Sequence, residues 1–318
     1  MKKVISIILA LAVLLSLAAC SGSSDEKESY TVGICQLVQH EALDAATQGF
    51  KDALTEKLGD KVNFVEQNAS GDSNTCITIC NQFVSEGVDL IMANATAALQ
   101  AAAAATNTIP VVGTSITDYG TALDISDWNG KTGTNITGTS DLAPLAEQAQ
   151  MIKELFPDAK KVGILYCSGE PNSVYQANVV EEALNGLGYT CERFTFVDSN
   201  DVASVASSAC ASSEVLYIPT DNTAASCTET INNVALPAGV PIVAGEAGIC
   251  RGCGVATLSI SYYDIGYAAG EIAAEILTED QNPGDIEIGF APEVVKMYNA
   301  DICSALEITP PEGYEPLD

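Results

Sequence analysis

Thr220, Asp221 and Asn222 follow Pro219 at the end of the apolar run "LYI" (Leu216 to Ile218). A hydroxyl, a carboxylate and an amide in a row can accept from an ammonium group and donate to a polar ligand. The run "LIMAN" (Leu90 to Asn94) also gives way to small residues, Ala95 and Thr96. His40 is the only histidine and stands four residues before Asp44, so it could serve as a base with an orienting carboxylate, or as a polar ligand contact. The cysteines are the other reactive groups. "CITIC" puts Cys76 and Cys80 one helical turn apart, and "CRGC" makes Cys250 and Cys253 a CxxC pair. A CxxC serves redox chemistry or supplies half a metal site, but a single histidine leaves few partners for a metal. No G-x-S-x-G elbow, P-loop or H-E-x-x-H helix is present, so hydrolysis and phosphoryl transfer lack visible apparatus. An enzyme, or a redox protein using Cys250 and Cys253, is the weaker expectation. No cofactor and no metal is expected, and most cysteines fall in apolar patterns where a thiol acts as a small hydrophobe.

Residues 1–19 read as an address. "MKK" is a positive start, the apolar run after it is too short for a bilayer span, and "LAAC" ends on Cys20. Small residues directly before a cysteine match the bacterial lipoprotein signal, with Cys20 as the lipidated first residue of the mature chain. Residues 20–29 are small and charged, a tether. The expectation is an exported protein held on the cell membrane by lipid rather than by a helix. Loss of Lys2 and Lys3 takes the net charge from −29 to −31. Phosphate contacts need clustered Lys and Arg, so nucleic acid is excluded as a partner and a multiply anionic ligand is disfavoured.

From Tyr30 the chain alternates short apolar runs with longer amphipathic ones, the pattern of βαβ units in a parallel sheet. The pattern then repeats. "KKVGILYCSGEPNS" matches "YTVGICQLVQHEA", "EVLYIPTDNTAAS" matches "DLIMANATAALQ", and "VPIVAGEAG" matches "IPVVGTSIT". Val162 follows Val32 by 130 residues and Val240 follows Ile109 by 131. The predicted fold is therefore α/β, with two similar lobes, each an open parallel sheet flanked by helices. In such sheets ligands sit outside the carboxyl ends of the strands, beside helix N-termini. Thr96 and one of Asp221 or Asn222 are expected as N-caps. Matching polar strand ends in both lobes point to a cleft between them. A helix N-terminus there would hold a carboxylate, and Asp221 or Glu246 would take an ammonium group.

Several stretches resemble the extracytoplasmic substrate-binding lipoproteins of bacterial ABC importers, in the branch for tryptophan or tyrosine uptake. They run from about Tyr30 to Thr309 and include "HEALDAATQGFKDAL", "SEGVDLIMANATAALQAA", "IPVVGTSITD", "NITGTSDL" and "YIPTDN". The resemblance implies the type I periplasmic-binding-protein fold, two lobes joined by three hinge crossings that close on a ligand. Crossings are expected near Gly138 to Asp141, Ser259 to Tyr262 and Pro283 to Ile288. Residues 30–141 plus 262–282 would form lobe 1, and 142–261 plus 283–318 lobe 2. The resemblance puts His40, Thr96, Asp118, Asn172, Ser173, Asp221 and Asn222 at motif positions around the cleft. Gln39, Ser115, Tyr119, Thr220 and Glu246 complete the expected ligand-binding set. The family commonly has Pro where Glu41, Ala97 and Tyr119 stand; Tyr119 would bring a ring near the cleft, and Trp128 is expected at the surface. The implied function is capture of a small zwitterion, an aromatic amino acid, by a monomer that delivers it to ABC permease subunits. A sugar or a nucleoside is the alternative ligand.

Overall fold

The computed structural model describes residues 29–279 and 281–317. The signal segment 1–19, Cys20 and the tether through residue 28 lie outside the described residues. No helix among the described residues is long and apolar enough to cross a membrane.

The first half of the chain runs β1 (Tyr30–Gln36), α1 (Glu41–Leu58), β2 (Val62–Asn68), α2 (Ser73–Glu86), β3 (Leu90–Asn94), α3 (Thr96–Ala105), β4 (Val111–Ile116), the short α4 (Tyr119–Ala122) and β5 (Ile136–Ser140). The second half runs α5 (Leu145–Leu155), β6 (Lys161–Cys167), α6 (Pro171–Gly186), β7 (Thr190–Phe196), α7 (Val202–Ser212), β8 (Val215–Ile218), α8 (Asn222–Ser226), α9 (Thr228–Ala238), β9 (Ile242–Ala244), α10 (Ala247–Cys253) and β10 (Ala256–Ser259). It ends with α11 (Tyr262–Glu279), β11 (Gly289–Phe290), β12 (Val295–Tyr298), α12 (Ala300–Ala305) and β13 (Glu315–Pro316).

Two sheets result, ordered β11-β5-β4-β3-β1-β2 and β13-β12-β10-β9-β8-β6-β7. Five strands of each share one order, so the repeat in the sequence is a repeat of topology. Central strands are buried on both faces and read as continuous apolar runs rather than alternating ones. In β3, Ile91 and Ala93 pack under α2 and α3, while Leu90 and Met92 face α1 and α11. In the second sheet, Tyr217 packs with residues of α5 and α6, and Leu216 and Ile218 with residues of α7, α9 and α10. Local signals fix the helix ends. Asp72 accepts from the N–H groups of Asn74 and Thr75 to start α2, and Gly87 in the left-handed region ends it.

The chain passes between the sheets after β5, after β10 and after β11. The third passage corrects the expected boundary at 283. Pro283–Asp285 stays on the first lobe: Gly133 N–H donates to Gly284, Thr137 donates to Ile286, and β11 pairs with β5. The second lobe resumes only at β12, which runs antiparallel to β10.

Candidate functional site

On the first lobe, the floor of the cleft is built by the ends of β3, β4 and β5. Asn94 and Thr114 are paired in register. The residues after them, Ala95 and Ser115, both have left-handed backbones, at φ 89° and 57°. Side chains other than glycine seldom adopt that conformation, and such strain persists where the surroundings enforce it. Ala95 N–H donates to Thr114 O, 3.1 Å. Ser115 is buried and its Oγ has no partner within the described structure. Ala95, not Thr96, occupies the N-cap of α3 and has no side chain that can cap, so Thr96 is the first helical residue. The opening N–H groups of α3 therefore carry no side-chain cap.

One strand further on, Asp141 follows β5 and is buried. Its N–H donates to Ile116 O. Its carboxylate accepts from the Thr117 hydroxyl, 3.0 Å, and from the Tyr262 hydroxyl, 2.9 Å. Burial pushes the Asp141 pKa up, while the two hydroxyls pull it down. Tyr262 starts α11 just past the second crossing, so this bond ties the first two crossings together. Burial, followed by the charge of Asp141, raises the Tyr262 phenol well above its ordinary range.

The second lobe contributes the ends of β6, β8 and β9. Glu170 precedes α6, and its carboxylate accepts from the N–H groups of Asn222 (3.0 Å) and Thr223 (2.8 Å). It also accepts from the Thr223 hydroxyl and the Asn222 amide, 2.7 and 2.8 Å. Asn172 donates to Glu170 and to Thr220 O, and Gln176 brackets Thr220 on both its N–H and its C=O. Ser173 is fully buried beside Asn172.

Asp221 and Glu246, the carboxylates expected to hold an ammonium group, are both helix caps. Asp221 is 1 % exposed; one oxygen accepts from Ala224 N–H and the other from Cys167 N–H, each 2.7 Å. Burial and then the charge of Glu170 push its pKa up to about 8. Glu246 accepts from the N–H groups of Gly248 and Ile249, and burial pushes it up to about 7. Neither carboxylate needs a ligand to be satisfied. Asp118 likewise caps α4 through Thr121 N–H, 2.7 Å.

The lobes meet across the cleft. Asn222 Nδ2 donates to Glu170, which leaves its Oδ1 to accept from His40 Nε2–H at 3.2 Å. Burial lowers the His40 pKa, so the ring is held neutral. Glu41 forms an ion pair with Arg251 on the opposite lobe. A narrow crevice lies between Thr96, Asp118 and Thr121 on one side and Pro171, Asn172 and Tyr175 on the other. Two larger spaces flank the His40–Asn222 contact. One, about 280 Å³, is lined by Gln39, His40, Ser226, Glu246 and Arg251 among others. The other, about 660 Å³, has Val38, Ala97, Glu170, Pro171 and Val197 in its walls.

Tyr119 does not reach the cleft. It is 1 % exposed inside the first lobe, donates to Thr139 O and stacks on Trp128 with ring centroids 6.2 Å apart. Trp128 is accordingly half-buried rather than on the surface. Gly113 and Gly138 leave the space that the phenol fills. The CxxC thiols are buried as well; Cys253 donates to Ile249 O, and burial raises both thiols. Among the described residues, no cluster of His, Cys, Asp and Glu is able to hold a metal ion.

Asp141 and Glu170 escaped the reading of the sequence. Asp141 ends the strand "ITGTS" as Asp221 ends "LYI", so the same strand-end signal was available. Glu170 stands directly before Pro171, the favoured first position of a helix.

The profile of the family described as ABC transporter substrate binding protein matches residues 31–314. A tyrosine-binding protein of Clostridioides difficile (strain R20291) is 35 % identical over 322 residues, covering 96 % of this chain and 93 % of the relative. The structure of an ABC domain from Streptococcus pneumonia in complex with L-Trp is 30 % identical, covers 91 % of this chain and 100 % of its own, and superposes with a TM-score of 0.86. A ligand-free, open substrate-binding protein with adhesive properties from Clostridium difficile is 32 % identical, covers 91 % of this chain and 99 % of its own, and gives a TM-score of 0.69.

Proposed function

The chain belongs to the ABC transporter substrate-binding protein family, and from that premise we propose that it captures an aromatic amino acid between its lobes and passes it to a membrane permease. The family is a solute-binding one and works outside the cytoplasm. Its tyrosine-binding relative and its L-Trp-bound neighbour support an amino acid of this class. The lobes meet as in a closed form. At nearly equal identity the chain superposes better on the L-Trp complex than on the open protein, which supports the same arrangement.

The observation that carries the reading is the strained pair Ala95 and Ser115 beside the uncapped start of α3. A carboxylate placed there accepts from the first N–H groups of α3 and from the otherwise unpartnered Ser115 hydroxyl. Asp141 stands at the end of the adjacent strand β5 and is the carboxylate we assign to the α-ammonium of the same ligand. Asp141 suits this role because its side-chain partners are hydroxyls, whereas Glu170, Asp221 and Glu246 are occupied by backbone N–H groups at helix starts. The 660 Å³ space, walled in part by Val38, Ala97, Pro171 and Val197, takes the ring. Closure then rests on a ligand that touches both lobes.

Calorimetry with tyrosine, tryptophan and phenylalanine, their des-amino analogues, and a panel of sugars and nucleosides tests this. Binding of an aromatic amino acid is expected, with loss for the des-amino analogue. Asp141→Asn is expected to weaken it at least about 30-fold, the effect of removing one partner of a buried charge pair. Tight binding of a sugar or nucleoside with no response to amino acids would overturn the reading.

A further inference from the structure

Asp141 is a buried carboxylate whose two oxygens are held separately. Thr117 donates to Oδ1 at 3.0 Å and Tyr262 donates to Oδ2 at 2.9 Å. Among the described residues, the side chains that donate to it are these two hydroxyls and no Lys, Arg or His. A carboxylate accepts about four hydrogen bonds, so each oxygen keeps a lone pair for a further donor.

The two hydroxyls come from different elements, and each is fixed in turn. Thr117 follows β4, and its carbonyl accepts from the Ser140 hydroxyl at 3.0 Å. That hydroxyl also accepts from Leu142 N–H at 3.1 Å, which fastens the chain on both sides of Asp141. Tyr262 opens α11, and its ring packs with Ala42 and Ala46 of α1 and with Ile265. Thr139 lies two residues before Asp141, on the same side of the extended chain, and donates to Ile265 O at 3.0 Å. The start of α11 is therefore tied to the end of β5 at two points. Both donors to Asp141 are buried.

We propose that Tyr262 and Thr117 are the positioning residues of the ammonium subsite, acting on the ligand through Asp141 by fixing one of its oxygens each. This rests on the assignment of Asp141 to the α-ammonium and adds the groups that make that carboxylate effective. A hydroxyl bonded to a carboxylate favours its charged form, and burial favours the neutral one. Burial pushes the Asp141 pKa up; the Tyr262 hydroxyl, and after it the Thr117 hydroxyl, pull it down. Together the hydroxyls keep the group charged and aimed, and neither supplies a competing charge.

The test is a set of double-mutant cycles in the full-length protein, read as calorimetric affinity for L-tyrosine and L-tryptophan. Tyr262→Phe keeps the ring against Ala42 and Ala46, and Thr117→Val keeps the branched shape. Each is made alone and together with Asp141→Asn. Each hydroxyl variant is expected to weaken binding about 10-fold by itself, the effect of one hydrogen bond to a charged group. With Asn already at 141, the same change is expected to alter affinity by no more than about 2-fold. A hydroxyl that served only the fold would weaken binding by the same factor in both backgrounds. Equal losses in the two backgrounds, or parental affinity in a folded hydroxyl variant, would overturn the proposal while leaving Asp141 as the ammonium contact. The variants lie on different elements, so one that does not fold leaves the other to decide. Parental affinity in Asp141→Asn, or a parent that binds neither amino acid, would overturn the Asp141 assignment and this proposal together.

Discussion

Asp221 shows how one side chain can satisfy two descriptions that only its neighbours separate. Both oxygens serve backbone N–H groups, one on its own helix and one on β6. Asp221→Asn keeps an oxygen for Ala224 but turns an N–H toward Cys167 N–H. That leaves a buried donor unpaired, at about 1–3 kcal/mol of stability. The expected result is a lower melting midpoint with unchanged calorimetric affinity; a large loss of affinity would restore Asp221 as a ligand contact. Glu246 yields a prediction on pH. Burial raises its pKa to about 7, so the folded protein keeps a proton that the unfolded chain has already lost. The unfolded state binds fewer protons in that window, and stability falls as pH rises from about 4.5 to about 7, by on the order of 3 kcal/mol. Asp221, raised to about 8, acts in the same direction. The melting midpoint of the ligand-free protein should therefore drop across this range, and less steeply in Glu246→Gln. A midpoint that climbs with pH would contradict it.

At the level of elements, α11 matters because it returns the chain to the first lobe and docks on α1. Gly266 and Gly270 let the two backbones touch; a Cβ on Gly266 would run into the Ala46 carbonyl, and one on Gly270 would meet Phe50. Gly266→Ala is expected to cost about 1–3 kcal/mol through overpacking, although alanine is the better helix former. Chemical denaturation measures it, and a stabilised variant would show that the helices are free to move apart. Alternating elements were legible because each strand is a short apolar run and each helix an amphipathic one. β11 and β12 were not. They are two and four residues long, and neither has a pattern that distinguishes a strand from a loop. The third crossing was therefore expected too early.

The whole molecule has two lobes that, among the described residues, meet at His40 with Asn222, at Glu41 with Arg251 and at the crevice by Pro171 and Tyr175. An exposed ion pair contributes about 0–1 kcal/mol, so the Glu41–Arg251 pair adds little to closure. Moving a mostly open population to a mostly closed one takes about 5.5 kcal/mol of differential affinity, which several charge-assisted bonds to one ligand supply. Small-angle scattering should show a smaller radius of gyration with saturating ligand. An unchanged radius, with binding shown separately, would argue against a two-lobe clamp. Cys20→Ala is expected to abolish lipid labelling and free the protein from membranes; continued anchoring would remove the lipoprotein assignment.

The sequence by itself determined the two-lobe architecture, because strand and helix periodicities and the 130-residue echo are local properties that survive without knowledge of contacts. It also located the cleft, since ligand sites in open parallel sheets follow from strand direction alone. It did not show which of these side chains cap helices. Asp118, Asp221 and Glu246 stand at strand ends just as Asp141 does, and a string of letters does not show which carboxylates already hold an N–H. Nor did it show that Tyr119 turns inward, which depends on the room left by Gly113 and Gly138 on two different strands. Those distinctions rest on which groups distant in the chain come within hydrogen-bonding reach, and only the tertiary structure decided that.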